Sequence, residues 1–202
     1  MGVSILTQPP ELSKKLQAKM KAQMPQLMDR CSRVMQSAIQ DTINKGVPPP
    51  NAPLTAAVKG GKGTLRDNRD LAGSISAHHG DNWASSGTNK KQAWVLQHGK
   101  TIMSKGKGLW LPANANTRTL YRQYNAQTPG QLITAMKSAG FKFFRVKNVY
   151  CAQSKKGQPF ALFIVKKSVT IPARRFVKFT DSARNTIKKI WKDALHAALG
   201  SR

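Results

Sequence analysis

The sequence predicts an α+β protein with a long N-terminal helical segment, a small antiparallel sheet with a prominent β-hairpin, a C-terminal amphipathic helix and extended loops. Apolar residues recur every three or four positions from Glu11 to Lys45, as on one face of a helix. Residues 141–169 are rich in β-branched and aromatic side chains, which favour strands. Residues 181–199 have an apolar face and a basic face, which predicts the C-terminal helix. A chain of 202 residues has room for one such domain with arms.

The N-terminal helical segment is predicted at residues 1–46, and a long Pro/Gly loop or arm follows at residues 47–70. Pro25 is expected to kink the helix or divide it in two, because proline removes a backbone donor from a helix interior. Gly46 supplies a C-terminal stop. Residues 47–69 contain four prolines and three glycines. Loops of this length inside compact domains are usually functional or become ordered on binding.

An α+β core is predicted at residues 71–199. Residues 71–78 alternate apolar and small polar side chains, which predicts a half-buried strand. The stretch "DNWASSGTN" predicts a partner strand, across a turn near Gly80 and Asp81. The stretch "QAWVLQHG" then predicts a short helix that ends at Gly99.

A basic insertion within this core is predicted at about residues 100–168. Its first part, Lys100–Gly108, has the composition of a flexible basic segment, and "LWLP" predicts a brief apolar anchor that ends at Pro112. Residues 114–127 predict no defined element.

The second part of the insertion predicts a helix and then a β-hairpin. Thr128 is placed to cap the helix, Pro129 to occupy its first position and Gly140 to lie beyond its end. The stretches "FKFFRVKNVYCAQ" and "QPFALFIVKKSV" predict strands, and Ser154–Gly157 between them predicts the tip of the hairpin.

The stretch "SVTIPARRFVKF" connects the hairpin to the C-terminal helix. Pro172 has no N–H to give to a strand ladder, so it is expected to end the β-hairpin. Phe176 and Phe179 are expected to anchor the turn into the helix. The helix itself is expected to begin at a Thr180 or Asp181 cap.

Charge is the outlying property of this chain. It has 34 Lys and Arg against 8 Asp and Glu, a formal net charge of +26, and no acidic residue lies between Asp81 and Asp181. Such a chain repels itself unless a polyanion or a neighbouring protein neutralises it, so an acidic partner is expected. DNA, RNA, an anionic membrane and an acidic protein ring all have the necessary charge.

The basic residues are spread over predicted loops, the hairpin tip and a helix face, and the sequence contains no pattern of a base-reading module. This distribution predicts contact with phosphates regardless of sequence. The candidate residues for nucleic-acid or partner contact are Lys59, Lys62, Lys90, Lys91, Lys105, Lys107, Lys155, Lys156 and Arg175.

Catalytic chemistry is not predicted, and neither a cofactor nor a metal is expected. His78 and His79 are adjacent in a predicted strand and so point to opposite faces, which prevents them from sharing a metal easily. The few carboxylates show no spacing that suggests an acid and base pair. The stretch "KGGKGT" lacks the spacing of a phosphate-binding loop.

Redox chemistry and membrane insertion are not indicated either. Cys31 and Cys151 lie in apolar periodic segments and are expected to be buried free thiols rather than a disulfide. No segment approaches the roughly 18 apolar residues of a membrane span. No membrane partner is expected.

Three stretches resemble, in the same order, elements of the virion morphogenesis and tail-completion (neck) proteins of tailed bacteriophages. These are "TLRDNRDLAGSIS", "WASSGTNKKQAWVLQHG" and "TIPARRF", and the likeness covers residues 65–99 and 168–199, about a third of the chain. Arg175 stands where the family usually has a second proline, and residues 100–169 are longer than the typical middle of the family. The matching positions are Leu71, Ser74, Ile75, Gly87, Thr88, Asn89, His98, Gly99, Ile171, Pro172, Ala173, Arg174 and Phe176.

The resemblance implies a structural virion protein that is assembled in the host cytoplasm and located in the neck or tail. It implies a homo-oligomeric ring, hexameric or dodecameric, beside neck, connector, tail-tube or terminator proteins, with genomic DNA in the channel. Within the "TIPARRF" element, it implies a structural or subunit contact for Arg174 and leaves Arg175 as the candidate for a contact particular to this protein. The alternative is a free-standing protein that binds nucleic acid without sequence preference, as a monomer or dimer.

Overall fold

The computed structural model describes residues 10–67 and 69–200, with side chains from residue 14 onward, and its fold class is α+β as predicted. Two compact units are present: unit 1 comprises Met1–Lys45, Asp70–Lys90 and Phe176–Arg202, and unit 2 comprises Gly46–Arg69 and Lys91–Arg175. The described helices are α1 (Pro10–Lys45), α2 (Pro53–Lys59), α3 (Asp70–Gly73), α4 (Lys91–His98), α5 (Ala115–Gln123), α6 (Pro129–Ser138) and α7 (Asp181–Leu199). The described strands are β1 (Ser76–His79), β2 (Ala84–Gly87), β3 (Lys100–Met103), β4 (Leu109–Pro112), β5 (Lys142–Val146), β6 (Val149–Gln153), β7 (Phe160–Lys166) and β8 (Ser168–Ile171).

Unit 1 is organised by two helices, α1 and α7, that pack along each other. Of the two effects predicted for Pro25, division of the helix is wrong, because α1 runs through it as one element, and a kink stays a prediction. Continuing the helix keeps one apolar stripe on both sides of the proline, and burial of that stripe outweighs a lost backbone hydrogen bond. The buried residues of this interface are Leu27, Met28, Cys31, Ile190 and Ala194.

The later part of α1 packs against α3 and the β1–β2 hairpin. Side-chain amides of α1 hold this hairpin region: Gln36 donates to the Ile75 carbonyl at 2.7 Å and Gln40 to the Ala72 carbonyl at 3.2 Å. The predicted strand at 71–78 begins later than expected, because Asp70–Gly73 is helical and only Ser76 onward is extended. The predicted partner strand is confirmed as β2, antiparallel to β1.

The C-terminal helix α7 confirms the sequence prediction in both its start and its faces. Thr180 is the cap, and its side chain accepts a hydrogen bond from the Ala183 amide at 3.2 Å. Phe176 is fully buried as expected, but Phe179 is 48% exposed and does not anchor the turn. Its ring lies instead beneath the guanidinium of Arg184, 5.6 Å from carbon to ring centre.

Unit 2 begins with a segment that was predicted to be a loop throughout and contains helix α2. Pro53 occupies the first turn of α2, and Gly60 ends it in the left-handed conformation, with φ of 61°. Proline at the start and glycine just past the end are the sequence signal for a short helix, which was hidden here by the abundance of both residues. Helix α2 packs against α5.

The core of unit 2 is a four-stranded antiparallel sheet in the order β4-β7-β6-β5, covered on one face by α5 and α6. The predicted α6 is confirmed, with a capping box between Thr128 and Gln131. Helix α5, which was not predicted, begins at an Asn114 cap. Fully buried side chains between the helices and the sheet are Leu132, Met136, Ala152, Leu162 and Phe163.

The predicted hairpin tip is confirmed as the connection between β6 and β7, but the first predicted strand is itself a hairpin, β5–β6. Lys100–Met103 was expected to be flexible and is strand β3, which pairs with β8 in a second, two-stranded sheet. Strand β8 does end before Pro172, although it belongs to this second sheet and not to the hairpin. Pairing between residues 65 or more positions apart in the chain leaves no local sequence signal.

Candidate functional site

The two units differ sharply in charge. Unit 2 holds 20 of the 34 Lys and Arg but only one of the eight carboxylates, a formal net charge of +19. That carboxylate, Asp67, is already paired: Arg118 donates to its two oxygens at 2.9 and 2.6 Å. The pair lowers the pKa of Asp67, chiefly through the hydrogen bond from Arg118. The surface of unit 2 therefore carries positive charge that its own carboxylate does not neutralise.

Exposed basic residues cluster at one end of the four-stranded sheet, and we call this cluster the basic sheet end. Strand pairing brings it together, because the β5–β6 turn, the end of β7 and the start of β4 lie at the same end of the sheet. The amide of Val165 donates to the Asn148 carbonyl at 2.8 Å and so holds that turn beside β7. The basic sheet end consists of Lys105, Lys107, Arg145, Lys147, Lys166 and Lys167, and every one is exposed.

The loop that carries Lys105 and Lys107 has an ordered backbone. The Ser104 hydroxyl accepts hydrogen bonds from the amides of Gly106 and Gly108, at 3.2 and 2.9 Å. The Ser104 amide donates to the Lys167 carbonyl at 2.8 Å. These bonds fix the loop next to the junction of β7 and β8, so its two lysines extend from a defined turn rather than from a free arm.

The opposite end of the sheet is also basic. Lys155 and Lys156 occupy the β6–β7 tip and are exposed, as predicted for the hairpin tip, and Lys142 is exposed at the start of β5. The tip lies close to the end of α6, because the Lys155 side chain passes 3.4 Å from where a Cβ on Gly140 would stand. The sheet of unit 2 thus has exposed cations at both ends.

Lys59 and Lys62, two further predicted contact residues, are used inside the protein. The Lys59 ammonium is half-buried and donates to the Gly63 carbonyl at 2.9 Å, and burial lowers the pKa of this lysine. Lys62 is exposed, but its ammonium donates to the backbone carbonyl of Asp67 at 3.0 Å. Both lysines therefore hold the segment after α2, which removes Lys59 in particular from the free surface.

The remaining predicted contact residues, Lys90, Lys91 and Arg175, are exposed. Lys90 belongs to unit 1, and Lys91 and Arg175 belong to unit 2. Among the residues that the structure describes, no hydrogen bond or strand pair joins Lys91 or Arg175 to the basic sheet end.

Arg174 has a structural role that separates it clearly from its neighbour Arg175. Only 7% of Arg174 is exposed, and its guanidinium donates to the carbonyls of Pro49 and Pro50 at 3.0 and 3.1 Å. Burial lowers the pKa of Arg174, because desolvation disfavours the charged form. The guanidinium stabilises the proline-rich segment before α2 and is not available to a phosphate.

The second and third stretches of the family resemblance meet in unit 2. The Arg174 amide donates to the Leu96 carbonyl at 2.7 Å, which joins the "TIPARRF" element to the end of α4. Gly99, with φ of 75°, lies so close to this element that a Cβ would stand 2.7 Å from the Ala173 nitrogen. Glycine is therefore required at position 99 both for its φ and for the close approach. Beside it, His98 is exposed and its ring lies 5.0 Å from that of Trp94.

From Asp70 onward, the first stretch of the resemblance lies in unit 1, together with the beginning of the second. The hydroxyls of Ser74 and Thr88 hydrogen-bond at 2.7 Å, and Leu71 and Ile75 are buried. Gly87 is the last residue of β2, and Asn89 is exposed in the connection to α4. These positions support the turn and hairpin beside α1.

Sequence reasoning missed four of the six members of the basic sheet end, namely Arg145, Lys147, Lys166 and Lys167. Only the pairing of strands could have revealed these four residues. That pairing places the end of β7 beside the β3–β4 loop and the β5–β6 turn. A hairpin prediction that had divided "FKFFRVKNVYCAQ" at Lys147 would have found two of them.

Residues 10–67 and 69–200 contain neither a group of metal-ligating residues nor a membrane-spanning helix. In that part of the chain, no group of three or more His, Cys, Asp or Glu residues is arranged to hold a metal ion. None of the described helices has the length and apolar character to cross a membrane. The two cysteines are free, with Cys31 buried and Cys151 half-buried.

Comparison with protein-family models, with curated proteins and with solved structures found no match to this chain.

Proposed function

We propose that this chain is a structural virion protein of a tailed bacteriophage that forms a ring at the neck or upper tail. In this function it completes the tail or joins head to tail, around the channel for the genome. Its partners are copies of itself and the adjacent connector, tail-tube or terminator proteins. The positive charge faces genomic DNA or acidic surfaces of those proteins.

The observation that carries this proposal is the contact between two stretches of the family resemblance in unit 2. Gly99 and Arg174 are 75 positions apart, yet the backbone of Leu96 accepts from Arg174 and Gly99 lies against Ala173. When two proteins have the same residues at two positions because those residues pack together, the two positions are expected to be in contact. The physical need for glycine at 99 and for a buried arginine at 174 gives the sequence likeness a structural reason.

The charge of unit 2 supports the same proposal. A hexameric ring would bring together six copies of a chain with a net charge of +26. Such a ring is stable only beside a compensating polyanion, because like charges in a closed assembly repel. DNA in a central channel, or acidic neighbours above and below the ring, would supply that compensation.

The proposal is tested by the location and assembly of the protein. Immunogold labelling of purified virions is expected to place the protein at the head–tail junction or upper tail. Negative-stain images of the purified chain, alone or mixed with neck and tail proteins of the same virion, are expected to show closed rings. Virions without label at the junction and tail would refute the proposal.

A second candidate function, sequence-independent nucleic-acid binding by a free-standing protein, is favoured by the basic sheet end. Six exposed cations on two turns and a strand junction can contact successive phosphates without reading bases. Full engagement of all six predicts that the logarithm of the binding constant falls with the logarithm of salt with a slope of about −5.

Fluorescence anisotropy with two unrelated DNA duplexes distinguishes the two candidates. The triple substitution Lys105→Gln, Lys107→Gln, Lys167→Gln is expected to reduce the salt slope by about 3. The matched control removes three exposed lysines from α7 of unit 1: Lys188→Gln, Lys189→Gln, Lys192→Gln. Tight binding by a monomer or dimer that depends on the first triplet supports the second candidate. Equal losses in both variants would show that the basic sheet end has no special part in binding.

A further inference from the structure

The four-stranded sheet of unit 2 has one face covered by helices and one face that they do not cover. Side chains of α5 and α6 pack with Trp110, Tyr150, Ala152 and Phe163 on the covered face. In a strand, successive side chains point to opposite faces, so the residues between these belong to the other face. We call this other face the outer face.

The outer face is apolar along a row that crosses all four strands. Register pairs Val146 with Val149, Val149 with Ile164, and Ile164 with Leu111, in the order β5, β6, β7 and β4. None of these four residues belongs to the core cluster beneath the helices. The next row adds Phe144, which pairs with Cys151.

Exposure on this face increases toward strand β5. Leu111, Val149 and Ile164 are half-buried, whereas Val146 is 52% exposed and Phe144 is 40% exposed. A contiguous apolar surface with exposed residues at one margin is a common feature of interaction sites.

Strand β5 is also an edge of its sheet. It pairs with β6 on one side, and no other described strand pairs with its second side. The N–H and C=O groups directed away from β6 are therefore open to an added strand. Strand β5 contains neither proline nor a register shift that would obstruct such pairing.

The charges around β5 indicate which kind of strand can pair with its open edge. Lys142, Arg145 and Lys147 are exposed on the strand and its turn, and unit 2 has no unpaired carboxylate. Cations on an edge strand oppose pairing with another copy of the same strand, because like charges would lie close together. A segment with Asp or Glu would instead bring compensating charge.

Nucleic acid is a poorer fit to the outer face than protein. The cross-strand row is entirely aliphatic, and Phe144 is the single aromatic residue among the exposed members of the face. Binding of single strands depends on successive aromatic platforms, and phosphates gain nothing from aliphatic contact. The basic sheet end and the outer face therefore fit different ligands.

We propose that β5 and the outer face bind an extended segment of a partner protein, in which aliphatic residues alternate with Asp or Glu, by addition of a strand to the edge of the sheet. Aliphatic side chains of the segment contact Phe144 and Val146 on the outer face. Its carboxylates lie on the opposite side of the added strand and pair with Arg145, whose register partner is Tyr150. Main-chain hydrogen bonds supply affinity, and the alternating side chains supply specificity. This inference holds whether or not the protein forms a phage ring.

The test is selection of random peptides of about 12 residues by the full-length chain, followed by binding measurements on the selected peptides. We expect enrichment of sequences that alternate aliphatic residues with Asp or Glu. Val146→Glu places a charge against the aliphatic side chains of the segment, so it is expected to weaken binding about tenfold or more. Leu195→Glu is the matched control, since Leu195 is 41% exposed on α7 of unit 1, and it is expected to leave binding unchanged.

Backbone methylation of a selected peptide tests strand addition itself. N-methyl groups on alternate residues remove the donors that would pair with β5, so one of the two alternate patterns is expected to abolish binding and the other to preserve it. Equal binding of both patterns would refute strand addition. Circular dichroism of the Val146→Glu variant checks that it folds.

Three other results would overturn the proposal. The first is the absence of enriched peptides, or enrichment of basic or uncharged ones. The second is binding to vesicles of phosphatidylcholine and phosphatidylglycerol that Val146→Glu abolishes, which would assign the face to an anionic bilayer. The third is a wild-type oligomer that Val146→Glu converts to a monomer, which would assign the face to a second copy of the chain.

Discussion

Replacing Arg174 by methionine is expected to destabilise unit 2, because the substitution removes two partly buried hydrogen bonds while keeping most of the side-chain volume. The guanidinium is 7% exposed and donates to the carbonyls of Pro49 and Pro50 at 3.0 and 3.1 Å. Hydrogen bonds with a charged partner each contribute about 1.5–3 kcal/mol. Both prolines are exposed, so water can hydrate their carbonyls once the arginine is gone. We therefore expect the free energy of unfolding to decrease by about the contribution of one such bond, about 2–3 kcal/mol.

Urea unfolding followed by far-UV circular dichroism measures this loss, and a thermal scan gives an independent value. For a chain of this size, each kcal/mol lowers the melting temperature by about 2–4 °C, so we expect a decrease of about 4–12 °C. Arg175→Met is the matched control: Arg175 is adjacent and exposed, and the expected change is within about 0.5 kcal/mol. Arg174→Lys is expected to fall between wild type and Arg174→Met, since one ammonium cannot reproduce the planar fork.

Equal stabilities of the Arg174 and Arg175 variants would refute the structural role of Arg174. With that result, both arginines would be candidates for contact with a partner. A selective loss at Arg174 instead leaves Arg175 as the member of the pair that can contact a partner.

Three further predictions concern other contacts in unit 2. Gly99→Ala is expected to cost about 2 kcal/mol or more, from strain at positive φ and from the close backbone, whereas Gly106→Ala, in open space, is expected to be neutral by urea unfolding. Asp67→Asn is expected to lower stability at pH 7 by about 1 kcal/mol, because its pair with Arg118 is one-third exposed. The pKa of Asp67 is lowered in the folded state, so this contribution is present above the unfolded pKa near 4 and is lost as pH falls through the folded value. Urea midpoints of wild type and Asp67→Asn should therefore converge at acidic pH, and a constant difference would contradict the pairing. Thr117→Val is expected to cost about 1–2 kcal/mol in thermal unfolding, because the buried hydroxyl donates to a strand carbonyl at 2.9 Å; an unchanged melting temperature would contradict that bond.

Local sequence signals were sufficient for α4, α6 and α7, each of which has a cap or a stop at one end. Thr128 with Pro129 fixes the start of α6, Thr180 fixes the start of α7, and Gly99 fixes the end of α4. Each depends on contacts within a few residues, such as a hydroxyl that accepts from the third amide of the helix. The hairpin tip at Ser154–Gly157 was found for the same reason, since tight turns have a local composition.

Local sequence signals failed to predict elements in segments whose composition suggested flexibility. Those segments are ordered by contacts with distant parts of the chain. Lys100–Met103 is basic and was expected to be flexible, but β8 offers it a strand partner more than sixty residues later. The prolines and glycines around α2 obscured a short helix that packs on α5. In both cases the stabilising contacts join parts of the chain that a window of sequence does not compare.

The sequence by itself determined the fold class, the excess of positive charge and the expectation of an acidic partner, because these follow from composition and periodicity. The tertiary structure alone decided how the cations are used. In the folded protein, Arg174 is buried against the prolines that precede α2, and Lys59 donates to a backbone carbonyl. The basic sheet end is formed by two turns and a strand junction. Which lysine or arginine is free depends on strand register and on which carbonyls lie within reach, and both are set by pairing between distant segments.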